Sequence, residues 1–106
     1  LSASEHFDAG TDKFAAGDLA GAEESFRAAL RLDPRHADAH FSLGQLLANK
    51  GDLEGAEDSL RSALDVDPND ADCCFALALI LKQRGDMDSA EVYYEAAIRG
   101  DPEYLD

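Results

Sequence analysis

GDLAGAEESFRAALRLDPRH, residues 17–36, recurs as GDLEGAEDSLRSALDVDPND at residues 51–70 and as GDMDSAEVYYEAAIRGDPEY at residues 85–104. Each copy begins with Gly-Asp, carries Asp-Pro near its end, and starts 34 residues after the previous copy. A fixed period of about 20 to 50 residues predicts stacked supersecondary units rather than one globular core. A functional site is therefore expected on the surface of the stacked units rather than in a catalytic pocket.

The chain is strongly acidic, with a net charge of −14 over 106 residues. Acidic residues outnumber basic ones by 7 to 3, 7 to 3 and 9 to 3 in the three segments divided at Pro34 and Pro68. An excess spread this evenly indicates a soluble, self-repelling array rather than a charged tail. It also argues against nucleic acid as a partner, because phosphate binding needs a basic face.

Membrane insertion and disulfide cross-linking are not expected. The longest apolar run, Phe75–Leu81, is far shorter than the ~20 residues that cross a bilayer. Cys73 and Cys74 are adjacent and cannot join distant segments, so they are interpreted as small thiols on a helix in a reducing compartment. Together these features indicate an intracellular, cytoplasmic protein. The absence of an initiating Met indicates a segment excised from a longer chain.

Each unit is predicted to contain two helices. In the second unit, apolar residues three and four apart mark a first helix that ends near Gly51. A second apolar stripe ends at Asp67-Pro68, because proline disfavours helical geometry in the residue before it. The stripes of the second and third units consist of Ala39, Leu43, Leu46 and Leu47; Leu53, Ala56, Leu60, Ala63 and Leu64; Leu77, Ile80 and Leu81; and Met87, Ala90, Tyr94, Ala97 and Ile98.

Small, aromatic and proline residues also recur in register. They are Leu43-Gly44 in the first helix; Ala22, Ala56 and Ala90 after the turn; Phe26, Leu60 and Tyr94, then Ala29, Ala63 and Ala97, in the second helix; and Pro34, Pro68 and Pro102 at the close. In these places the chain resembles the tetratricopeptide repeat family over essentially its whole length. The resemblance implies an all-α fold, a right-handed superhelical solenoid of three helix–turn–helix repeats with six helices. It implies one array over residues 1–106, with repeats at residues 3–36, 37–70 and 71–104.

The two ends of the predicted array differ. In the first unit, Asp12 and Lys13 occupy positions that are apolar in the other two units. Polar residues at these positions suit the outer face of a capping repeat. Members of the family commonly close with an extra polar helix, whereas this chain stops soon after its last proline, so the array is expected to be truncated at its C-terminal end. The last helix, with Tyr94 and Ile98, is then expected to expose apolar surface and to favour self-association.

No catalytic, cofactor or metal site is predicted. The chain contains no glycine-rich phosphate loop, zinc-protease motif or activated nucleophile in a family context. His36 and His40 stand four apart near Asp38, and His40 shares its repeat place with His6 and Cys74, where the family has tryptophan. A structural zinc site usually needs four ligands at tighter spacing. These residues are therefore interpreted as packing or surface residues.

Three of the five phenylalanines, Phe7, Phe41 and Phe75, occupy the same repeat place. The resemblance puts this place on the first helices near the concave face, where stacking would align the rings as an aromatic stripe. Helix packing alone and ligand binding both account for such a stripe. The predicted groove consists of Phe7, Asp8, Phe14, Asp38, Phe41, Gln45, Asn49, Asp72, Phe75 and Lys82.

These features predict a non-catalytic protein–protein interaction scaffold. Its concave groove would bind a peptide or protein segment with apolar and basic side chains. The resemblance excludes two specialised modes, since the Lys/Asn/Arg clamp of chaperone-binding members and the asparagine ladder of some glycosyltransferase arrays are both missing at the matching places. Two alternatives stay open: self-assembly through exposed terminal helices, chiefly the C-terminal one, and a regulatory or tethering segment of a larger enzyme.

Overall fold

Six α-helices and one short 3₁₀ helix make up residues 1–105, the part of the chain that the computed structural model describes. The helices are α1 (Ala3–Ala15), α2 (Leu19–Leu32), α3 (Ala37–Asn49), α4 (Leu53–Val66), α5 (Ala71–Gln83) and α6 (Met87–Gly100), and the 3₁₀ helix spans Pro102–Leu105. The predicted all-α solenoid of three helix–turn–helix repeats is confirmed. Asp106, the last residue of the predicted array, lies outside the described residues.

Polar side chains fix the start of every helix. A side-chain acceptor at each N-cap receives a backbone N–H three residues further on, which satisfies a donor that the helix itself leaves unpaired. Ser2 and Glu5 complete this reciprocally as a capping box at α1. The N-caps of the first helices are Ser2, His36 and Asp70, and those of the second helices are Asp18, Asp52 and Asp86.

A glycine ends the turn inside each repeat. Gly17, Gly51 and Gly85 have φ values of 86°, 86° and 88°, in the left-handed region that glycine adopts without a steric penalty. The Asp that caps the second helix follows directly in each case. The Gly-Asp dipeptide therefore reverses the chain and starts the next helix in the same way three times.

The core lies between the two helices of each repeat and between neighbouring repeats. Phe26, Leu46, Leu60 and Leu77 are at most 1% exposed. Within each repeat the two helices pack closely, α2 then packs on α3, and α4 packs on α5. The first helices also contact one another, α1 with α3 and α3 with α5. They therefore line one face of the solenoid, where the candidate groove lies.

Candidate functional site

Two cavities open on the face formed by α1, α3 and α5. Their volumes are about 250 Å³ and about 370 Å³, and they share Phe14 and Gln45 as a common wall. Both side chains belong to the groove predicted from the sequence, as does Asn49 in the larger cavity. The smaller cavity is lined by Thr11, Phe14, Ala15, Phe26, Ser42 and Gln45. The larger is lined by Phe14, Gly44, Gln45, Ala48, Asn49, Leu60, Ala76, Leu79, Ile80 and Gln83.

The larger cavity lies where the side chain at one repeat position changes in size between successive repeats. Phe14, Ala48 and Lys82 occupy the same place in successive repeats. The small Ala48 leaves space above α3 that the large Phe14 bounds on one side. Gly44 deepens it, because a Cβ there would meet the Leu60 side chain at 2.9 Å. Lys82 itself is exposed and lines neither cavity.

The lining of the larger cavity is apolar at its base and amide-rich at its rim. Leu79, which sequence reasoning did not select, is 39% exposed and contributes an accessible aliphatic side chain. Gln45, Asn49 and Gln83 are exposed amides on α3 and α5. Each side-chain amide can both donate and accept hydrogen bonds. The rim can therefore pair with both N–H and C=O groups of a bound polypeptide.

The three repeat-related phenylalanines pack between helices and line neither cavity. The ring of Phe7 lies 5.8 Å from that of Phe26 and 5.0 Å from that of His36. Phe75 stacks on Tyr104 at 4.6 Å and meets Tyr94 edge-on at 5.7 Å. No ring contact among residues 1–105 joins two of the three. All three remain partly exposed, so their contact with a ligand stays a prediction.

Two of the three phenylalanines are covered by the residue at the same later position in the chain, which is the N-cap of α3 for Phe7 and a residue of the 3₁₀ helix for Phe75. His36 covers Phe7, Tyr104 covers Phe75, and the equivalent residue for Phe41 is Asp70. Phe41 packs against the core but has no ring contact among the described residues. Periodicity in the sequence could have revealed this relation, because each covering residue follows its phenylalanine by the same interval.

The predicted acidic residues of the groove are not equivalent. Asp8 and Asp38 are exposed, whereas Asp72 accepts a hydrogen bond from the Tyr104 hydroxyl. That bond to a carboxylate, together with neighbouring negative charge, raises the pKa of Tyr104 to about 12. Asp72 is also exposed but is engaged by the chain itself, whereas Asp8 and Asp38 make no side-chain hydrogen bond among residues 1–105.

Local interactions account for the histidines and cysteines. His36 Nδ1 accepts the Ala39 N–H at 3.1 Å, and His40 Nε2 donates to the Pro34 carbonyl at 2.8 Å. Cys73 and Cys74 are buried free thiols. Burial raises the pKa of Cys74 and raises that of Cys73 to about 12, which leaves little reactive thiolate near neutral pH.

A repeated ion-pair cluster joins neighbouring repeats on the other side of the molecule. Glu23 of α2 binds Arg27 at 3.0 Å and Lys50, which follows α3, at 2.7 Å. These hydrogen-bonded cations lower the pKa of Glu23. In the next repeat the same positions carry Glu57, Arg61 and Arg84, with distances of 2.9 Å and 2.8 Å. Glu57, through its hydrogen bond, raises the pKa of Arg61.

At the equivalent face of α6 no further α-helix follows within residues 1–105, although the 3₁₀ helix contacts α6. We call this the terminal face. Met87 on it is 56% exposed and Glu91 is exposed. Tyr94 and Ile98, expected from the sequence to be exposed here, are half-buried. The terminal face consists of Met87, Glu91, Tyr94, Glu95 and Ile98.

Neither a membrane-spanning helix nor a metal-binding cluster occurs among residues 1–105. Among residues 1–105, no helix combines the length and apolarity needed to pass through a bilayer. Within the same residues, no three His, Cys, Asp or Glu side chains are grouped so that they could hold a metal ion.

Several solved structures share this fold. MamA superposes with a TM-score of 0.91 at 20% identity, over 98% of this chain and 61% of that one. YrrB, described as a TPR protein with an unusual peptide-binding site, gives 0.88 at 21% identity, over 99% and 54%. A mutant O-GlcNAc transferase from Thermobaculum terrenum gives 0.88 at 22%, over 96% and 20%. The present chain thus spans at most 61% of the length of these proteins.

Sequence comparison gives the family independently of the fold. No curated protein matches the chain at a significant level. Two family models do match, both described as tetratricopeptide repeat, one over residues 7–71 and the other over residues 50–106. Each match covers more than half of the sequence. The chain belongs to the tetratricopeptide repeat family.

Proposed function

We propose that this chain is a non-catalytic scaffold that binds a peptide or protein segment in the groove formed by α1, α3 and α5. Tetratricopeptide repeats support a role as a protein-interaction scaffold and are typically non-catalytic. The similar fold of YrrB, with its described peptide-binding site, favours the same kind of ligand. The observation that carries the proposal is the pair of open cavities on either side of Phe14 and Gln45.

The lining of the cavities indicates an extended ligand. Alternate side chains of an extended peptide point the same way, so two of them would enter the two cavities while the residue between them faces solvent. The accessible side chain of Leu79 and the ring of Phe14 would contact apolar residues of the peptide. Gln45, Asn49 and Gln83 would pair with its backbone.

Charge favours basic residues beside the apolar ones. The chain carries a net charge of −14, and Asp8 and Asp38 are exposed on the first helices. Such a field accelerates the association of cationic ligands and disfavours acidic ones. The proposed ligand is therefore an extended segment with alternating apolar residues and flanking Lys or Arg.

A display library of random short peptides tests this proposal. Selection on the folded chain is expected to enrich sequences with alternating apolar residues and neighbouring basic ones. Leu79→Ser is expected to weaken binding of the enriched peptides about tenfold, because the lost side chain contributes accessible apolar contact in the groove. Val92→Ser is the matched control, since Val92 is also an exposed aliphatic residue, at 58%, but lines neither cavity.

Circular dichroism would verify that both variants keep the helical fold. Selection of no peptide, or equal losses of binding for Leu79→Ser and Val92→Ser, would contradict binding in this groove.

A further inference from the structure

Phe41 differs from the other two repeat-related phenylalanines because no ring covers it among residues 1–105. The ring of Phe7 lies 5.0 Å from that of His36, and the ring of Phe75 stacks on that of Tyr104 at 4.6 Å. Phe41 packs against the core and is half-buried, yet it makes no ring contact in the same residues. It belongs to the middle repeat, with a described repeat on either side. The open ring therefore follows from the residue at the covering position.

Asp70 occupies the covering position for Phe41 and has the same local geometry as His36. Both residues are N-caps, with φ and ψ of −70° and 101° for Asp70 and of −75° and 94° for His36. Asp70 Oδ1 accepts the Cys73 N–H at 3.2 Å. His36 Nδ1 accepts the Ala39 N–H at 3.1 Å. The two side chains thus leave the backbone in the same direction, but the carboxylate of Asp70 lacks the outer ring atoms that cover a phenylalanine.

The open side of Phe41 is acidic. Asp38 precedes Phe41 by three residues on α3, so the two side chains share one face of the helix. The cap of α5 uses one carboxylate oxygen of Asp70, and the second can still accept hydrogen bonds. The face of an aromatic ring carries partial negative charge and attracts cations. The ring and the carboxylates together therefore favour a positively charged group.

We propose that Phe41 and Asp70 bind an arginine side chain of the peptide ligand. The guanidinium would lie over the Phe41 ring, in the place that the His36 imidazole takes over Phe7, and would donate hydrogen bonds to Asp70. Arginine fits better than lysine, because its planar group stacks on an aromatic ring and presents several N–H donors to a carboxylate. Asp38 would contribute a second negative charge.

The inference deepens the proposed function and rests on it for the peptide nature of the ligand. Phe41 lies one helical turn before Gln45, the shared wall of the two cavities. An arginine beside the apolar residues of a bound peptide can therefore reach Phe41. Neither Phe41 nor Asp70 lines a cavity, so a single blocked amino acid tests this site separately from the rest of the groove.

N-acetyl-arginine amide provides the probe, and N-acetyl-citrulline amide is its planar, uncharged counterpart. Each is titrated to millimolar concentration into the chain with isotopically labelled phenylalanine rings, and the ring signals are followed by NMR. The expected result is a saturable shift of the Phe41 signal that exceeds the shifts of Phe7 and Phe75. Arginine should bind about three- to tenfold more tightly than citrulline. N-acetyl-lysine amide should bind about two- to threefold more weakly than the arginine probe.

Exchange of the covering residues makes the test specific. Asp70→His copies the cover of Phe7 and is expected to abolish the response of Phe41 to arginine. His36→Asp copies the open arrangement and is expected to create a response at Phe7. Both variants keep a side-chain acceptor at the N-cap, so the helices still begin correctly. Asp52→His, the same change at the N-cap of α4, is the matched control and should leave the response of Phe41 unchanged.

Three results would overturn the inference. They are equal binding of the arginine probe and either of the other two probes, equal shifts of Phe7, Phe41 and Phe75, and an undiminished response of Phe41 in the folded Asp70→His variant. Selected peptides that bind while Phe41 does not respond to arginine would contradict the inference alone. A response of Phe41 without any selected peptide would support the arginine site and contradict only the proposed function.

Discussion

The outer faces of α2 and α4 and the terminal face of α6 carry equivalent positions in different surroundings. Phe26 and Leu60 are 1% exposed and lie on helices that a further first helix packs against, whereas the equivalent Tyr94 on α6 is half-buried. Ion pairing differs in the same way, since Glu57 has two cationic partners and Glu91 has none within residues 1–105. The helices have the same length and the same capping aspartate. The surroundings of each position therefore depend on the neighbouring repeat as well as on its own.

This difference bears on how the free energy of unfolding is distributed among the helices of a short array. In repeat proteins the free energy of unfolding is approximately a sum of contributions from single repeats and from the interfaces between neighbours. α4 takes part in both kinds of contact, whereas α6 lacks a following first helix in the described residues. Residues that are equivalent in sequence should therefore differ in their contribution to stability, and matched substitutions can measure the difference.

The largest difference is expected for the aromatic or leucine position. Leu60→Ala removes a fully buried side chain from a covered interface and should reduce the free energy of unfolding by about 2–5 kcal/mol. Tyr94→Ala at the terminal face should cost about 1 kcal/mol, because part of the ring is already in water. Urea unfolding monitored by circular dichroism measures both. Equal losses would show that the following repeat adds nothing to the burial of this position.

A smaller difference is expected for the glutamate position. Glu57→Gln weakens contacts with Arg61 and Arg84 and should cost about 0.5–1 kcal/mol, the usual range for a partly exposed ion-pair cluster. Glu91→Gln should leave stability unchanged or raise it slightly, because it removes a repulsion with Glu95. Both variants are compared at low and at high salt. A cost for Glu57→Gln that does not decrease at high salt would contradict its electrostatic origin.

The smallest difference is expected in the pH dependence. Lys50 and Arg27 hold the pKa of Glu23 below its ordinary value of 4.5. The folded chain therefore binds fewer protons at this site than the unfolded chain. The stability that Glu23 contributes is fully present above pH 4.5 and is lost as the pH falls through the lowered pKa.

The advantage of the wild-type chain over Glu23→Gln should accordingly disappear on acidification. Paired urea titrations across this pH range measure it, with Glu91→Gln as the comparison at the equivalent position that has no cationic partner within residues 1–105. An advantage that does not decrease as the pH falls below 4.5 would contradict the assignment, since the unfolded chain takes up a proton at this site before the folded chain does.

The sequence predicted the repeat architecture well because its signals are local. α1, α3 and α5 begin at Ala3, Ala37 and Ala71, where the sequence placed the start of each unit. The Gly-Asp dipeptides mark the turns because glycine is needed for positive φ and aspartate for the cap. Such signals depend on one or two residues and need no knowledge of how repeats stack.

The candidate site was predicted only in part, because its shape depends on stacking. Phe14, Gln45 and Asn49 were selected and line the cavities, whereas Leu79 was missed. The larger cavity depends on the small Ala48 beside the larger Phe14 of the preceding repeat, which is a relation between repeats rather than a motif within one. The cover of Phe7 by His36 likewise depends on how closely successive repeats approach. Comparing side-chain size along each repeat position would have indicated the larger cavity.

Amide hydrogen exchange along the three second helices tests most directly whether the following repeat determines stability. Exchange is slow where opening is costly, and it reports each helix separately under native conditions. The central amides of α4 and α2 should exchange markedly more slowly than those of α6. Equal protection of α4 and α6 in the free chain would contradict the account, because the terminal face would then lack nothing that a neighbouring repeat supplies.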